Sequence, residues 1–243
     1  NMNKCKLLVG FALICYVTYV VFQLAGNEYL SNAFRALIIP TITMLYFINI
    51  KKKSIYFSGF LVLYSLSELM CIISPYIPTN IDYYTGNALY ISAYLLLIYE
   101  ILKSMDFNYV IRHYAIHLVI LTALSVYIVS VLLKIVSPHV VGFQFIVEFV
   151  YNLITLILLS VALINFLYRD TRKSLLMFFG ALCIAFSEII QIAYFYISTN
   201  IVLEEVLNMS YTALLLGSFC FFYFQSKLKL KEKGNGKSVL VNS

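Results

Sequence analysis

Apolar residues fill this chain in eight successive blocks, each close to the roughly 20 residues a helix needs to cross the hydrocarbon of a bilayer. The blocks predict helices over about 5–25, 30–50, 54–77, 81–103, 109–136, 140–168, 172–197 and 202–226. Within each block the apolar positions run continuously, without the ten-residue alternation of an outer-membrane barrel, so strands are not expected. The connections are too short to hold a soluble domain. The pattern therefore predicts an all-α polytopic membrane bundle of about eight transmembrane helices, a single unit over 1–226, with a basic tail over 227–243. The first block has a basic start but an apolar core longer than that of a signal peptide, and is read as a retained span.

Composition sharpens this reading. The chain is 62% hydrophobic and 12% charged, with a mean hydropathy of +0.90, which excludes an ordinary soluble domain. Lys4, Lys6, Lys51–Lys53, Lys103, Arg112, Arg169, Arg172, Lys173 and the tail from Lys227 to Lys237 all fall on one side of an eight-span topology. Glu28, Asp82, Glu204 and Glu205 fall on the other, with Lys134 as the exception. The positive-inside rule then puts both termini in the cytoplasm, of a plasma membrane or a bacterial inner membrane. On this view the net charge of +6 reports topology and implies no nucleic-acid partner. The five cysteines, odd in number and mostly within apolar blocks, read as small buried hydrophobes.

Polar residues inside the blocks carry the chemistry. Ser67-Glu68 and Ser187-Glu188 stand in the middle of two apolar runs, at an offset of 120 residues. A carboxyl at bilayer depth costs on the order of 2–3 kcal/mol or more unless paired, protonated or hydrated, and so marks a functional candidate. The same offset aligns Asn32 with Asn152 and Lys53-Ser54 with Lys173-Ser174, and an offset of 121 aligns Asn87-x-x-Tyr90 with Asn208-x-x-Tyr211. These matches divide the bundle into four-helix halves, 1–108 and 109–226, that enter the membrane in the same direction. At a rise of about 1.5 Å per residue, Arg35, Asn87 and Asn208 lie roughly 8–9 Å from the outer ends of their spans, Glu148 about 12 Å, and Glu68 and Glu188 about 14 Å. Helical spacing adds Tyr64 beside Glu68 and Gln191 beside Glu188. The expectation is one polar pocket holding two or three carboxyls and a guanidinium, at the seam of the halves.

Quieter readings stand beside these. Arg35 and Glu148 fit an interhelical ion pair as well as a functional pair, and Glu100 near Lys103 fits an interface residue. Asn87 and Asn208 fit interhelical hydrogen-bond glue. His113 and His117 have a metal-compatible spacing but no cysteine or acidic partner nearby, so no metal centre is expected, and nothing calls for a cofactor.

These residues resemble the YhhN-like family of eight-span membrane proteins, which includes the lysoplasmalogenases. Arg35-Ala36-Leu37-Ile38-Ile39-Pro40 is similar to the family's Lys-Pro-x-x-x-Pro element in the second helix. Ser67-Glu68 stands where the third helix has Gly-Asp, and Asn87-Ala88-Leu89-Tyr90 where the fourth has His-x-x-Tyr. Gly180-Ala181 leading to Ser187-Glu188 resembles a Gly-Ala start followed by Ser-Asp in the seventh, and Tyr211 matches a tyrosine of the eighth. Both aspartates are glutamates here, the lysine is an arginine and the histidine an asparagine. The resemblance implies hydrolysis of the vinyl-ether bond of a lysoplasmalogen or similar lysolipid, with Glu68 and Glu188 as catalytic carboxyls. Arg35, Tyr64, Asn87, Tyr90, Glu148, Gln191 and Tyr211 would hold the membrane-lipid substrate. Such a reaction needs one carboxyl as a proton donor and a second, ionised one to support the oxocarbenium ion and take a proton from water. The alternatives are a proton- or cation-coupled transporter using the same glutamates, and a non-catalytic assembly subunit.

Overall fold

The structure, a computed structural model, describes residues 2–140 and 142–228, without the side chains of 2–6. All but the first two residues of the expected basic tail lie outside the described residues, as does the side chain of Cys5. Eight α-helices follow one another: α1 (Met2–Leu24), α2 (Glu28–Asn49), α3 (Ile55–Ile73), α4 (Thr79–Leu102), α5 (Phe107–Val136), α6 (Phe143–Arg169), α7 (Arg172–Tyr196) and α8 (Ile201–Lys227). A single 3-10 turn over Ser74–Tyr76 extends α3, where Pro75 ends the α-helical ladder. All eight helices are long and apolar enough to cross a membrane, which makes the chain an integral membrane protein of the all-α class.

Short polar signals punctuate the apolar blocks. The side chains of Asn27, Asp106 and Asn200 accept hydrogen bonds from first-turn N–H groups of α2, α5 and α8. Thr171 and Ser174 form a reciprocal capping box that starts α7 three residues after α6 ends. Removing the box by Thr171→Ala is expected to cost about 0.5–2 kcal/mol, read as a lower denaturation midpoint in detergent. Gly26, in the left-handed region at φ +74°, turns the chain from α1 into α2. Pro40 interrupts the ladder of α2, and Thr41 next to it donates its hydroxyl to the Leu37 carbonyl at 2.7 Å. In α5 the helix breaks at Tyr114, whose hydroxyl donates to the Leu167 carbonyl of α6 at 2.8 Å.

Helices neighbouring in sequence pack together within each half: α1 with α2, α2 with α3, α3 with α4, and likewise α5 with α6, α6 with α7, α7 with α8. The halves meet along α4–α6 and α2–α8. Exchanging the halves carries one of these seams onto the other, the adjacency that a two-fold axis through the bundle requires. The core between the seams is aromatic. Phe60 stacks on Phe219 at 5.6 Å and meets Phe222 edge-on at 5.4 Å, and Tyr64 packs on Phe219 at 4.7 Å. Only 11% of the apolar window of α5 is buried within the protein, against 44% for α7 and α8, so α5 flanks the bundle and presents its apolar surface to lipid.

Candidate functional site

Of the five tyrosines on helix α4, three, Tyr83, Tyr90 and Tyr94, follow one another at separations of seven and four residues, which place them on one face. Each donates its phenol to a carboxyl from a different helix. Tyr83 reaches Glu148 of α6 at 2.8 Å, Tyr90 reaches Glu68 of α3 at 2.6 Å, and Tyr94 reaches Glu188 of α7 at 2.9 Å. A hydrogen bond to a charged partner contributes roughly 1.5–3 kcal/mol, which offsets part of the cost of taking a carboxyl out of water. The ladder answers how three acids are kept inside an apolar bundle. It also fixes Glu68 and Glu188 relative to each other, since their partners are one turn, about 6 Å, apart along α4. Tyr64 and Tyr151 fill the space around the rungs. Tyr64 lies 4.8 Å from Tyr90 and 6.0 Å from Tyr94, and Tyr151 lies 5.9 Å from Tyr94, ring to ring.

The α4–α6 seam opens into a chamber of about 370 Å³ lined by Glu148 and Glu188, by Tyr83, Asn87, Tyr90, Tyr151 and Asn152, and by Gln191 and Phe195 of α7. That volume is at the lower end of small-molecule sites. A second cavity of about 150 Å³ lies at the α2–α8 seam, with Asn32, Arg35, Asn208 and Tyr211 in its wall. Gln191 and Phe195 line both and form the partition. The sequence offsets of 120 and 121 residues pair the two linings. Asn87, Tyr90 and Asn152 in the chamber correspond to Asn208, Tyr211 and Asn32 in the second cavity. The charges differ, the chamber carrying two carboxyls and the second cavity a guanidinium.

Arg35 sits over the Tyr211 ring at 5.5 Å and donates to the Cys71 sulfur at 3.7 Å, while its Nε is buried without a partner. It does not pair with Glu148, which lies in the other cavity. Among the described residues the one close ion pair is Lys103–Glu100, 2.5 Å apart at the basic end. Glu68, 1% exposed, lies within electrostatic range of both Arg35 and Glu188 but lines neither cavity. Tyr90 holds one of its oxygens and the other, Oε2, has no hydrogen-bond partner. The repeated asparagines have separated in role. Asn208 donates to Gln23 of α1 at 3.1 Å, as interhelical glue would. Asn87 turns back to the Tyr83 carbonyl at 2.8 Å, one turn along its own helix, and its amide lines the chamber.

The single pocket expected from the sequence is thus two cavities with a common wall. Of the residues singled out, Asn87, Tyr90, Glu148, Glu188 and Gln191 line the chamber, and Arg35, Tyr211 and again Gln191 line its counterpart. Glu68 and Tyr64 stand behind them, Tyr64 fully buried in the aromatic core. Tyr83, Tyr94, Tyr151 and Asn152 join the site without having stood out as site residues in the sequence. The heptad and one-turn spacings of Tyr83, Tyr90 and Tyr94 are a readable signal, masked in a chain with 21 tyrosines.

Fold and site together define a class, an integral membrane protein whose described residues form eight helices, with buried carboxyls held against α4. Among known family models, curated proteins and solved structures, nothing matches this chain.

Proposed function

We propose that the chamber hydrolyses the vinyl-ether bond of a lysoplasmalogen or similar lysolipid, in the manner that the resemblance to the YhhN-like family implies. The observation that carries this reading is the placement of Glu188 and Glu148, from the neighbouring helices α7 and α6, in the wall of one chamber beside the cavity of Arg35. Glu188 protonates the alkene carbon remote from the ether oxygen, and the positive charge that results is shared with that oxygen. Glu148 faces this oxocarbenium ion, stabilises it and takes a proton from the water that captures it. As the hemiacetal collapses, Glu188 takes the proton of its hydroxyl and Glu148 delivers its proton to the departing glycerol oxygen, giving a fatty aldehyde and the free hydroxyl of the glycerophospho-base, so one water is consumed and both carboxyls regain their starting protonation. The phosphate passes between Gln191 and Phe195 into the adjoining cavity, where Arg35 makes a charge-assisted contact for which a guanidinium is well shaped. The chamber accommodates the reacting bond and the glycerol, and the hydrocarbon tail leaves between helices into the bilayer.

The helices that line the chamber, α4, α6 and α7, run without a break. A fixed reaction site suits this better than the discontinuous helices on which many transporters build their binding sites. Lysines and arginines crowd the end of the bundle away from the chamber, so the reading includes cytoplasmic termini and a site in the opposite leaflet. Purified protein in detergent is expected to release aldehyde from a lysoplasmalogen and no fatty acid from the corresponding ester lysolipid. Arg35→Gln is expected to raise KM about tenfold or more with little change in kcat, the loss of one charged contact. An unchanged KM would remove Arg35 from headgroup binding, and wild-type protein inert towards the vinyl ether would end the hydrolase reading.

A further inference from the structure

The opposite, basic end of the bundle holds a third cavity, of about 140 Å³, between the start of α3, the start of α7 and the last turns of α4, α6 and α8. Fifteen residues of α7 separate Lys173, in its wall, from Glu188, about 22 Å at helical rise, so this cavity belongs to neither of the two described above. We propose that it is a binding site for a phosphate group, carried by free phosphate or by the monoester headgroup of an anionic lipid. The reading does not rest on the hydrolase.

Charge is the first reason. Lys52, Arg169 and Lys173 line the cavity with a single carboxylate, Glu100. Glu100 is engaged through Oε2, held by Lys103 at 2.5 Å and by the Ser54 hydroxyl at 2.5 Å. The wall therefore has an excess of positive charge. Because Ser54 gives its hydroxyl to Glu100, it does not cap α3, and the first-turn N–H groups of that helix receive no side-chain acceptor. At the start of α7, by contrast, the N-cap Thr171 and the N3 residue Ser174 close a capping box. Of two related helix starts facing the cavity, the one at α3 is left open to an anion.

The second reason is an unmet pair of buried polar atoms. Arg169 donates one guanidinium nitrogen to the Ser104 carbonyl, but its Nε has no acceptor. Gln225, 3% exposed, lines the same cavity and its Oε1 has no donor. Native interiors leave few such groups without a partner. A phosphate monoester near neutral pH, with a second pKa of about 6, exists in part as the monoanion. That species accepts hydrogen bonds and also donates one, so it matches in kind both the unmet donor of Arg169 and the unmet acceptor of Gln225. Sulfate accepts but has no proton to give. The volume also fits, being enough for one phosphate group and well below that of a drug-sized pocket. Because Lys52 comes from the first half of the chain and Arg169 and Lys173 from the second, the bound anion would tie the halves together at this end.

Full-length protein in detergent, titrated with sodium phosphate, is expected to show a saturable rise in melting temperature that exceeds the effect of sodium sulfate at matched ionic strength. Lys52→Gln and Lys173→Gln, both near the mouth, should each weaken the response about tenfold, whereas Glu188→Gln should keep it. In parallel, native mass spectrometry of protein from nanodiscs with and without phosphatidic acid reads retention of the lipid. Saturable phosphate binding without lipid retention assigns the site to free phosphate. Retention of phosphatidic acid that both lysine variants lose, with free phosphate inert, assigns it to the headgroup. Equal, non-saturating effects of phosphate and sulfate with no lipid retention overturn the proposal, as does a double Lys52→Gln, Lys173→Gln variant that behaves like wild type.

Discussion

Glu188→Gln is expected to lower kcat for aldehyde release by a factor of about 10²–10⁴, the usual contribution of a positioned proton donor. The substitution keeps the shape of the side chain and an oxygen for the Tyr94 phenol, so the ladder on α4 survives and the fold with it. What is lost is the transferable proton. Glu148→Gln should have an effect of similar size, since Glu148 faces the same chamber and its bond from Tyr83 can be kept in the same way. Glu68→Gln is different. Glu68 lines neither cavity and touches the chamber only through Tyr90, so it is a positioning residue, and its replacement should lower kcat about tenfold while leaving KM unchanged. If it acts through Tyr90, the variants Tyr90→Phe and Glu68→Gln will be non-additive, the double variant losing little more than either alone. Wild-type turnover in Glu188→Gln would remove that residue from the reaction. Abolition by Glu68→Gln alone would move the reacting proton to the other carboxyl.

Much of this architecture could be read from the chain. Continuous apolar blocks of span length leave a helix as the element whose backbone satisfies itself in lipid, and the eight blocks coincide with α1 to α8 to within a few residues. The two Ser-Glu pairs were legible because a carboxyl at such depth stands out against hydrocarbon. The partners of those carboxyls were not. A phenol is ordinary in membrane-spanning helices, so Tyr94, which holds Glu188, looks no different in sequence from Tyr99, which lies exposed on the same helix. The division of one expected pocket into two was also out of reach. It depends on Gln191 and Phe195 of α7 standing between the α4–α6 and α2–α8 seams, a matter of helix rotation that a one-dimensional pattern leaves open. Glu68 illustrates the limit best. Its sequence context repeats that of Glu188, yet α4 supplies the phenol for both, and Glu68 ends up behind Tyr90 while Glu188 faces the chamber.

Gly180→Ala is expected to destabilise the protein by about 1–3 kcal/mol, the range for forcing extra volume into a packed core. A Cβ added at Gly180 would stand 2.6 Å from Cδ1 of Phe222, 2.9 Å from Cζ and closer still to Cε1, all of them inside contact distance. The ring cannot simply step aside. Phe222 is 0% exposed and is held among Phe57, Phe60 and Phe219 at ring separations of 6.3, 5.4 and 5.8 Å. The missing side chain lets α8 lie close against α7, the use of small residues by which membrane helices pack without a hydrophobic drive between them. Pushing α8 away would propagate along α7 to Glu188, eight residues or about 12 Å further on, so activity should fall along with stability. Phe222→Leu leaves room for the new methyl group, and the double variant Gly180→Ala, Phe222→Leu should be more stable than the two single effects added together, by about 1 kcal/mol. Reversible unfolding in mixed micelles measures all four proteins of that cycle. Strict additivity would show that the ring yields to the methyl group at no cost, and the close approach of α7 and α8 would then owe nothing to the glycine.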